Sequence, residues 1–237
     1  MRAADYTERF VSNNLQNLTP GRSLGNPDLL AETSWSAEIG LDYRVADNWT
    51  LSSTLYSRWS DDLVDYISTN ESDIGVVSEV GNLVADENYF FATNIADVQI
   101  RGVEFESNVK LPLGGSANLA IHNSLSVIGQ NSSLETVSVY LSNTAKFFST
   151  NRVSLQTKRF DLNLTGLYKN RNARVSEAIG ANLAEDYFLV NASAFFKLND
   201  QIKFGAHMIN VGDVEYQNIL GAAMPGRWFR GSVNWAF

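Results

Sequence analysis

The chain has 237 residues, with 18 Lys and Arg, 26 Asp and Glu, two His and no Cys. The lack of Cys excludes disulfide frameworks and thiolate metal sites, and two His offer little for a histidine metal centre. A net charge of -8 argues against a nucleic-acid partner, which would need a basic surface to neutralise phosphates. No stretch approaches the roughly 18 to 20 consecutive apolar residues of a membrane-spanning helix, so a helical membrane protein is also excluded.

The N-terminal ten residues do not have the composition of a secretory signal. Asp5, Glu8 and Arg9 interrupt what would have to be an apolar core. The sequence therefore indicates either a cytoplasmic protein or a chain whose true N-terminus lies further upstream.

Alternation of apolar and polar residues is the strongest pattern in the chain. From Trp35 to Val45 the odd positions are apolar and the even positions polar, which predicts a strand with one apolar face. After a short turn, the pattern returns from Trp49 to Trp59. Continued along the chain, it predicts nine strands from residue 33 onward and no amphipathic helix.

The apolar–polar alternation changes phase in one segment. Val98 and Ile100 are apolar at even positions, whereas Val103 and Phe105 continue at odd positions. Gly102 lies between the two phases, and the extra residue of a β-bulge would produce such a change. We therefore predict a bulge at Gly102.

The connections between these strands alternate in length. Short turns are predicted near 46–48, 112–115, 158–160 and 198–201. Long connections are predicted near 61–90, 129–147, 170–186 and 213–225. A transmembrane β-barrel has short periplasmic turns and long extracellular loops, whereas a sandwich or propeller has no reason to separate them. The sequence thus predicts an all-β fold, an antiparallel transmembrane β-barrel segment.

The aromatic residues agree with the height of such a barrel. Trp49 and Trp59 lie ten residues apart on the apolar phase. At roughly 3.3 Å per residue and about 40° of tilt, they are separated by about 25 Å along the membrane normal. This distance matches the two aromatic girdles of an outer-membrane barrel. In the alternative interpretation, a soluble β-rich binding module, the same residues would form a core.

Three segments resemble TonB-dependent outer-membrane receptors. Residues 24–35 (LGNPDLLAETSW) are similar to that family's Gly-Asn-Pro-x-Leu-x-x-Glu-x-Ser segment, and residues 94–106 (NIADVQIRGVEFE) to its strand ending in Gly-Val-Glu. Residues 210–237 resemble its Asn-x-x-Asp-x-x-Tyr and Pro-Gly-Arg closing segment. The motif positions matched here are Gly25, Asn26, Pro27, Glu32, Gly102, Glu104, Pro225, Gly226 and Arg227.

The resemblance implies a barrel of about 22 strands with an N-terminal plug. This chain would supply about 9 to 10 of those strands, from the C-terminal part, without the plug. Residues 1–32 would form an extracellular loop with the end of a preceding strand, and residues 33–237 the C-terminal barrel strands with their long loops.

The function implied by the resemblance is active transport in the outer membrane of a Gram-negative bacterium. The solute would be scarce and large, of the ferric siderophore or cobalamin type, and the TonB complex would act through the missing plug. Outer-membrane lipid and an extracellular small-molecule ligand are the further partners implied. No enzyme activity and no cofactor are expected. The alternative within transport is a passive porin, which also has a polar wall.

The last strand resembles the signal that the outer-membrane barrel assembly machinery reads. It combines an aromatic C-terminus with apolar residues at alternate positions: Phe229, Val233, Trp235 and Phe237. Recognition by strand addition to an exposed edge is one interpretation. The other is that these residues face lipid, and both can hold.

Acidic residues are concentrated in residues 61–90, which contain eight Asp and Glu and no Lys or Arg. Carboxylates near a strand end can bind a hard cation such as Ca²⁺, which takes oxygen ligands from flexible loops. The candidate residues are Asp61, Asp62, Asp65, Asp73 and Glu79. The other interpretation, a solvated surface loop, is the one we favour.

The two His residues fall on the polar phase of their strands. A Ser-His-acid hydrolase would need His122 or His207 beside a nucleophile. The sequence contains no Gly-x-Ser-x-Gly segment, and spacing alone assigns no Ser or acid to either His. We therefore interpret both as polar residues that line a barrel wall.

Overall fold

The computed structural model describes residues 1–13, 17–74, 83–132, 139–176 and 181–236. Two short helices, α1 (Tyr6–Phe10) and α2 (Val139–Ser142), and a 3-10 turn at Glu71–Asp73 occur in these residues. No helix in these ranges is long and apolar enough to cross a membrane. The strands are β1 (Ser23–Leu24), β2 (Thr33–Ala46), β3 (Trp49–Asp61), β4 (Leu63–Asn70), β5 (Asn88–Ile95), β6 (Val98–Gly114), β7 (Ala117–Asn131), β8 (Ala145–Gln156), β9 (Phe160–Arg171), β10 (Arg174–Ser176), β11 (Ala181–Leu183), β12 (Asp186–Lys197), β13 (Ile202–Ile209), β14 (Gln217–Ile219), β15 (Ala222–Ala223) and β16 (Trp228–Trp235).

One antiparallel sheet organises the described part of the chain. It contains nine strands in the order β16-β13-β12-β9-β8-β7-β6-β3-β2, so each strand pairs with the next long strand along the chain. The sheet thus contains nine long strands, alongside shorter strands in the connections. That these strands belong to a barrel of about 22 strands stays a prediction. Among the described residues β2 and β16 are the edges of this sheet and do not pair with each other, so the barrel is not closed within this chain.

The two ends of the sheet differ in the length of their connections. Short turns join the strands at one end, at residues 47–48, 115–116, 157–159 and 198–201. Long connections join them at the other end, at residues 62–97, 132–144, 172–185 and 210–227. The described residues of these long connections, together with those of 1–32, are called the cap below.

One face of the sheet is apolar and exposed. Trp35 pairs with Trp59, and Ile39 pairs with Leu55, which pairs in turn with Val103 on the next strand. Trp35 is 60% exposed and Ile39 is 71% exposed. A continuous exposed apolar surface of this extent indicates contact with a membrane or another protein. The opposite face, called the polar face, carries the alternate positions of the same strands.

The predicted bulge at Gly102 was wrong. Gly102 pairs with Tyr56 on β3 and with Ile128 on β7, and neither ladder shifts register there. Val98 and Ile100 instead lie on the polar face, at the end of β6 next to a long connection. Val98 is buried in a cluster with residues of the cap, and Ile100 packs against that cluster. Tertiary burial, not an extra residue, explains the change of hydrophobic phase.

The buried core of the chain lies in the cap. β4 and β5 form an antiparallel hairpin, and β1 adds to β5 in parallel. Hydrophobic clusters form around this small sheet: Ala4, Leu29, Val64, Tyr66 and Ala92 in one, and Leu18, Leu24 and Tyr89 in another. Arg2 forms an antiparallel bridge with Glu32. That residues 1–32 include the end of a preceding strand stays a prediction.

Candidate functional site

The cap is the candidate functional site. Binding residues concentrate in connecting segments that a rigid scaffold positions, and here the scaffold is the end of the nine-stranded sheet. The cap also contains two of the three sequence motifs, at its start and at its end.

The first motif holds α1 in place. A Cβ on Gly25 would lie 2.6 Å from the backbone of Arg9 and Phe10, so only glycine allows this approach. The Asn26 backbone N–H donates to the Glu8 carbonyl oxygen at 3.0 Å. The Arg9 guanidinium donates to the Pro27 carbonyl oxygen at 2.6 Å. The Gly-Asn-Pro segment therefore docks the N-terminal helix onto the cap.

Glu32, the last residue of this motif that precedes β2, belongs to a charge cluster. The Arg2 guanidinium lies 2.9 Å from Glu32 Oε1 and 3.0 Å from Glu8 Oε1. The Val64 backbone N–H also donates to Glu32 Oε2 at 3.2 Å. Hydrogen bonding to Arg2 lowers the pKa of the Glu32 carboxyl, and the same contact raises the pKa of Arg2. The cluster fastens the start of the chain to β2 and β4.

Asp65 connects β4 to α2. Its side chain is fully buried, and its Oδ1 accepts from the Tyr66 backbone N–H at 2.6 Å. Its Oδ2 accepts from the Leu141 backbone N–H at 3.2 Å. Nearby, the Arg174 guanidinium lies 4.7 Å from the centre of the Phe90 ring, and burial lowers the pKa of Arg174. Three connections therefore meet at this point of the cap.

A second buried arginine links the connection at residues 210–227 to the connections at residues 132–144 and 172–185. Arg171 is fully buried at the end of β9. Its guanidinium donates to the carbonyl oxygens of Ala184, Gln217 and Asn218 at 3.1, 2.6 and 3.3 Å, and to Asn143 Oδ1 at 3.2 Å. All four acceptors are neutral.

Neither buried arginine was identified from the sequence. The only signal is their spacing, RNAR at residues 171–174, directly after an amphipathic strand. Alternation alone does not distinguish a buried arginine at a strand end from one that faces water.

The second cap motif shapes a cleft. Asn210 and Asp213 adopt positive φ values of 53° and 54°. Asn210 is buried, and its side chain bonds both backbone polar groups of Val214, at 2.8 and 2.9 Å. Asp213 Oδ1 accepts from the Arg227 backbone N–H at 2.7 Å, close to the position that a Cβ on Gly226 would occupy. Pro225 contributes its carbonyl oxygen to Asn210 Nδ2.

The cleft between this segment and residues 182–184 has a volume of ≈ 510 Å³. Asp213, Glu215, Tyr216 and Met224 contribute to its lining. The Tyr216 ring lies 4.9 Å from the ring of Tyr187. Acidic, aromatic and thioether groups on the cap surface form a pocket of the size that small ligands occupy.

The acidic candidates have different surroundings in the described residues. Asp61 is exposed at the end of β3, Asp62 has a positive φ of 55°, and Asp73 lies in the 3-10 turn. Asp65 is buried against backbone amides, and Glu79 lies outside the described residues. The described ranges contain no group of three His, Asp or Glu residues that could hold a metal ion. The Ca²⁺ site stays a prediction.

The polar face carries hydrogen-bonded side chains. His122 Nδ1 lies 2.7 Å from Asn108 Oδ1, and His207 Nε2 lies 3.4 Å from Ser232 Oγ. Near the short turns, Asp161 accepts from both Lys197 and Lys203 at 2.8 Å. The motif residue Glu104 lies on the same phase, opposite Thr54 and Ser126. These contacts are those expected of a polar wall.

The last strand presents its apolar residues outward. Phe229, Val233 and Trp235 are 67%, 65% and 71% exposed along β16, an edge of the sheet. Phe237 lies outside the described residues. Recognition of this strand by the assembly machinery stays a prediction.

Comparison with known proteins identifies similar barrels. A family model described as "TonB dependent receptor-like, beta-barrel" matches residues 1–211. The copper transporter OprC has a similar structure, with a TM-score of 0.68 and 17% identity over 100% of this chain and 35% of that chain. A mutant ferric enterobactin receptor, PfeA from Pseudomonas aeruginosa, in complex with enterobactin, gives a TM-score of 0.60 and 19% identity over 91% of this chain and 33% of that chain. The FrpB iron transporter from Neisseria meningitidis gives a TM-score of 0.57 and 15% identity over 90% of this chain and 32% of that chain.

These similarities support the predicted fold class, an antiparallel transmembrane β-barrel segment. At identities of 15 to 19% the solved structures show the fold alone. The chain spans about a third of the length of each receptor it resembles. The sequence of this chain matches no curated protein sequence.

Proposed function

Because this chain belongs to the family of TonB-dependent receptor β-barrels, we propose that it forms part of an active uptake receptor in the outer membrane of a Gram-negative bacterium. The receptor takes up a scarce solute too large for passive pores. The family consists of receptors and transporters, not enzymes. The observation that carries the proposal is the family match over residues 1–211.

The division of the chain into two faces and a cap supports this proposal. The apolar face provides the lipid-contacting surface of a barrel wall, with the Trp35–Trp59 ring pair 4.0 Å apart near one end. The polar face provides a lumen wall against which a plug packs. The cap provides an ordered extracellular surface for ligand capture.

The proposed ligand is a large metal chelate of the ferric siderophore or cobalamin type. Support comes from the structurally similar proteins, which include a ferric enterobactin receptor, a copper transporter and an iron transporter. The cleft at Asp213, Tyr216 and Met224 offers oxygen and sulfur ligands together with an aromatic surface. The TonB complex, acting through a plug, and the barrel assembly machinery are the proposed protein partners.

Uptake in cells tests the proposal. Radiolabelled ferric enterobactin, copper and cobalamin are supplied to the parent bacterium and to a strain that lacks the gene. We expect loss of uptake of at least one of them, and the same loss when TonB is deleted or the proton gradient is collapsed. Unchanged uptake of all three after gene deletion would contradict the proposal.

The same experiment separates the alternatives. A passive porin would support uptake that depends on the gene but not on TonB. A soluble binding module would be released without detergent and would lack the heat-dependent gel migration of membrane barrels. The exposed apolar face, with Ile39 71% exposed, favours the membrane interpretation over the soluble one.

A further inference from the structure

An arginine lies on the apolar face of the sheet. Arg101 of β6 pairs with Ser57 on β3 and with Gly129 on β7, and Ser57 pairs with Ala37 on β2. β2, β3, β6 and β7 are described in full, and Arg101 is the only basic residue on the apolar phase of these four strands. A lipid-facing arginine destabilises a barrel at the bilayer midplane but costs little near an interface, so its position along the strand is informative.

The small partners of Arg101 leave a trough across the face. Ala37, Ser57 and Gly129 share a row with Arg101 and lie about 4.8 Å from one another strand to strand, so the row extends about 14 Å. One flanking row contains Ile39, Leu55, Val103 and Val127, and the other contains Trp35, Trp59, Gln99 and Asn131. Residues of the small row and the aliphatic row line a groove of ≈ 600 Å³.

The guanidinium of Arg101 has donors to spare. Its Nη2 donates to Gln99 Oε1 at 2.8 Å, and this is its one side-chain hydrogen bond recorded in the described residues. An arginine has five N–H donors in a planar fork that suits phosphate oxygens. The trough therefore combines an apolar floor with an anion-binding group.

The position of the trough selects the side of the membrane. Arg101 lies two residues from the row of Trp35 and Trp59, at the end of the sheet that carries the long connections. In outer-membrane barrels this end is extracellular, and aromatic rows mark the interface. Arg101 thus lies at the level where lipid phosphates of the outer leaflet meet acyl chains, with its side chain able to reach toward the interface.

We propose that this trough binds a phosphorylated acyl lipid of the outer leaflet, of the lipid A type. Its phosphate bonds Arg101, and an acyl chain occupies the row of small residues between the aromatic row and the aliphatic row. This inference rests on the proposed outer-membrane location but not on the identity of the transported solute. It assigns the outer surface of the barrel a lipid site distinct from the cap.

The test is lipid retention by the purified full-length receptor that contains this chain. After detergent exchange, native mass spectrometry counts bound lipid A in the wild type and in Arg101→Gln. Loss of a charge-assisted hydrogen bond predicts a roughly tenfold weaker retention. Gly129→Leu adds a side chain to the trough from the neighbouring strand β7, and we expect a comparable loss of lipid A. A Cβ at Gly129 meets no atom within 4 Å, so the start of this side chain has space.

Gly231→Leu is the matched control. Gly231 lies on the same apolar face as the trough but on β16, at the opposite edge of the sheet. A Cβ at Gly231 would also meet no atom within 4 Å. We expect wild-type retention of lipid A in this variant. Heat-dependent gel migration from the membrane fraction establishes that each protein is folded, and its absence in the wild type would contradict the outer-membrane location itself.

Two results would overturn the lipid site while leaving the location intact. One is equal retention of lipid A by the wild type, Arg101→Gln and Gly129→Leu. The other is retention of a diacyl phospholipid in place of lipid A, which the measured mass distinguishes. An equal loss in Gly231→Leu would also contradict the site, because it would reflect a general property of the apolar face.

Discussion

Gly102 lies on the polar face beneath the ring of Tyr56, its direct partner on β3. A Cβ at this position would overlap the Cζ and Oη atoms of that ring. We expect Gly102→Val to displace the ring and destabilise the barrel by about 1 to 3 kcal/mol, as overpacking does. Thermal unfolding followed by heat-dependent gel migration measures the effect.

Gly129→Val is the control for this prediction, because a Cβ there meets no atom within 4 Å. If Gly102→Val unfolds at the same temperature as Gly129→Val, Gly102 is not needed to make space for the Tyr56 ring. The comparison also explains why a glycine occurs in this motif without a positive φ. The requirement is space for Tyr56, not backbone freedom.

The charge cluster at Glu32 predicts a pH dependence of the cap. The Arg2 guanidinium lowers the pKa of Glu32 below its ordinary value of 4.5. A carboxyl with a lowered folded-state pKa contributes stability above its unfolded pKa and loses it as pH falls through the folded value. We therefore expect faster hydrogen exchange in residues 1–13 and 17–32 as pH falls below about 4.5.

Glu32→Gln removes the titrating group and tests the assignment. In this variant, exchange corrected for the intrinsic effect of pH is expected to be fast at neutral pH and to show little further change on acidification. The prediction is wrong if wild type and Glu32→Gln keep the same corrected profile across this range.

Among the elements, the connections of the cap depend on Arg171. Its guanidinium joins three separate connections through Asn143, Ala184, Gln217 and Asn218. Arg171→Met leaves these acceptors without their donor, and each buried unpaired polar group costs about 1 to 3 kcal/mol. We expect faster hydrogen exchange and easier proteolysis at residues 181–186 and 214–223, with the nine-stranded sheet intact.

Arg152→Met is the matched control, because Arg152 is exposed on the polar phase of β8 and its loss removes the same charge. Exchange in the cap is expected to remain at the wild-type level in that variant. If Arg171→Met and Arg152→Met exchange alike, the three connections are held by other contacts.

The strands and turns could be predicted because their signals are local. Alternation from Trp35 to Val45 reports which face of β2 is apolar, and short polar turns set the register of each hairpin. The cap could not be predicted, because it depends on contacts between distant residues such as Arg2 with Glu32 and Asp65 with Leu141. The bulge predicted at Gly102 was wrong for the same reason. Val98 is apolar because it is buried beneath the cap, and this burial changed the apolar–polar alternation without a bulge.

At the scale of the whole molecule, the sheet presents two edges, β2 and β16, that do not pair with each other in the described residues. Unpaired backbone groups at these edges cannot remain in lipid, because each one loses its hydrogen bonds to water. We expect cells that express residues 1–237 alone to show no uptake of ferric enterobactin, copper or cobalamin. Gene-dependent uptake by this segment alone would overturn that expectation.

As a barrel wall, this sheet would have lipid on one face and an aqueous lumen on the other, and labelling of single cysteines tests this claim most directly. Residues 1–237 contain no Cys, so none of them adds background to the labelling of single cysteines introduced on β2. In intact cells expressing the full-length receptor, we predict that Ile39→Cys and Leu41→Cys react with a membrane-soluble maleimide. Glu38→Cys and Asp42→Cys should instead react with a small charged methanethiosulfonate. Equal reaction of all four positions with the charged reagent would contradict the claim.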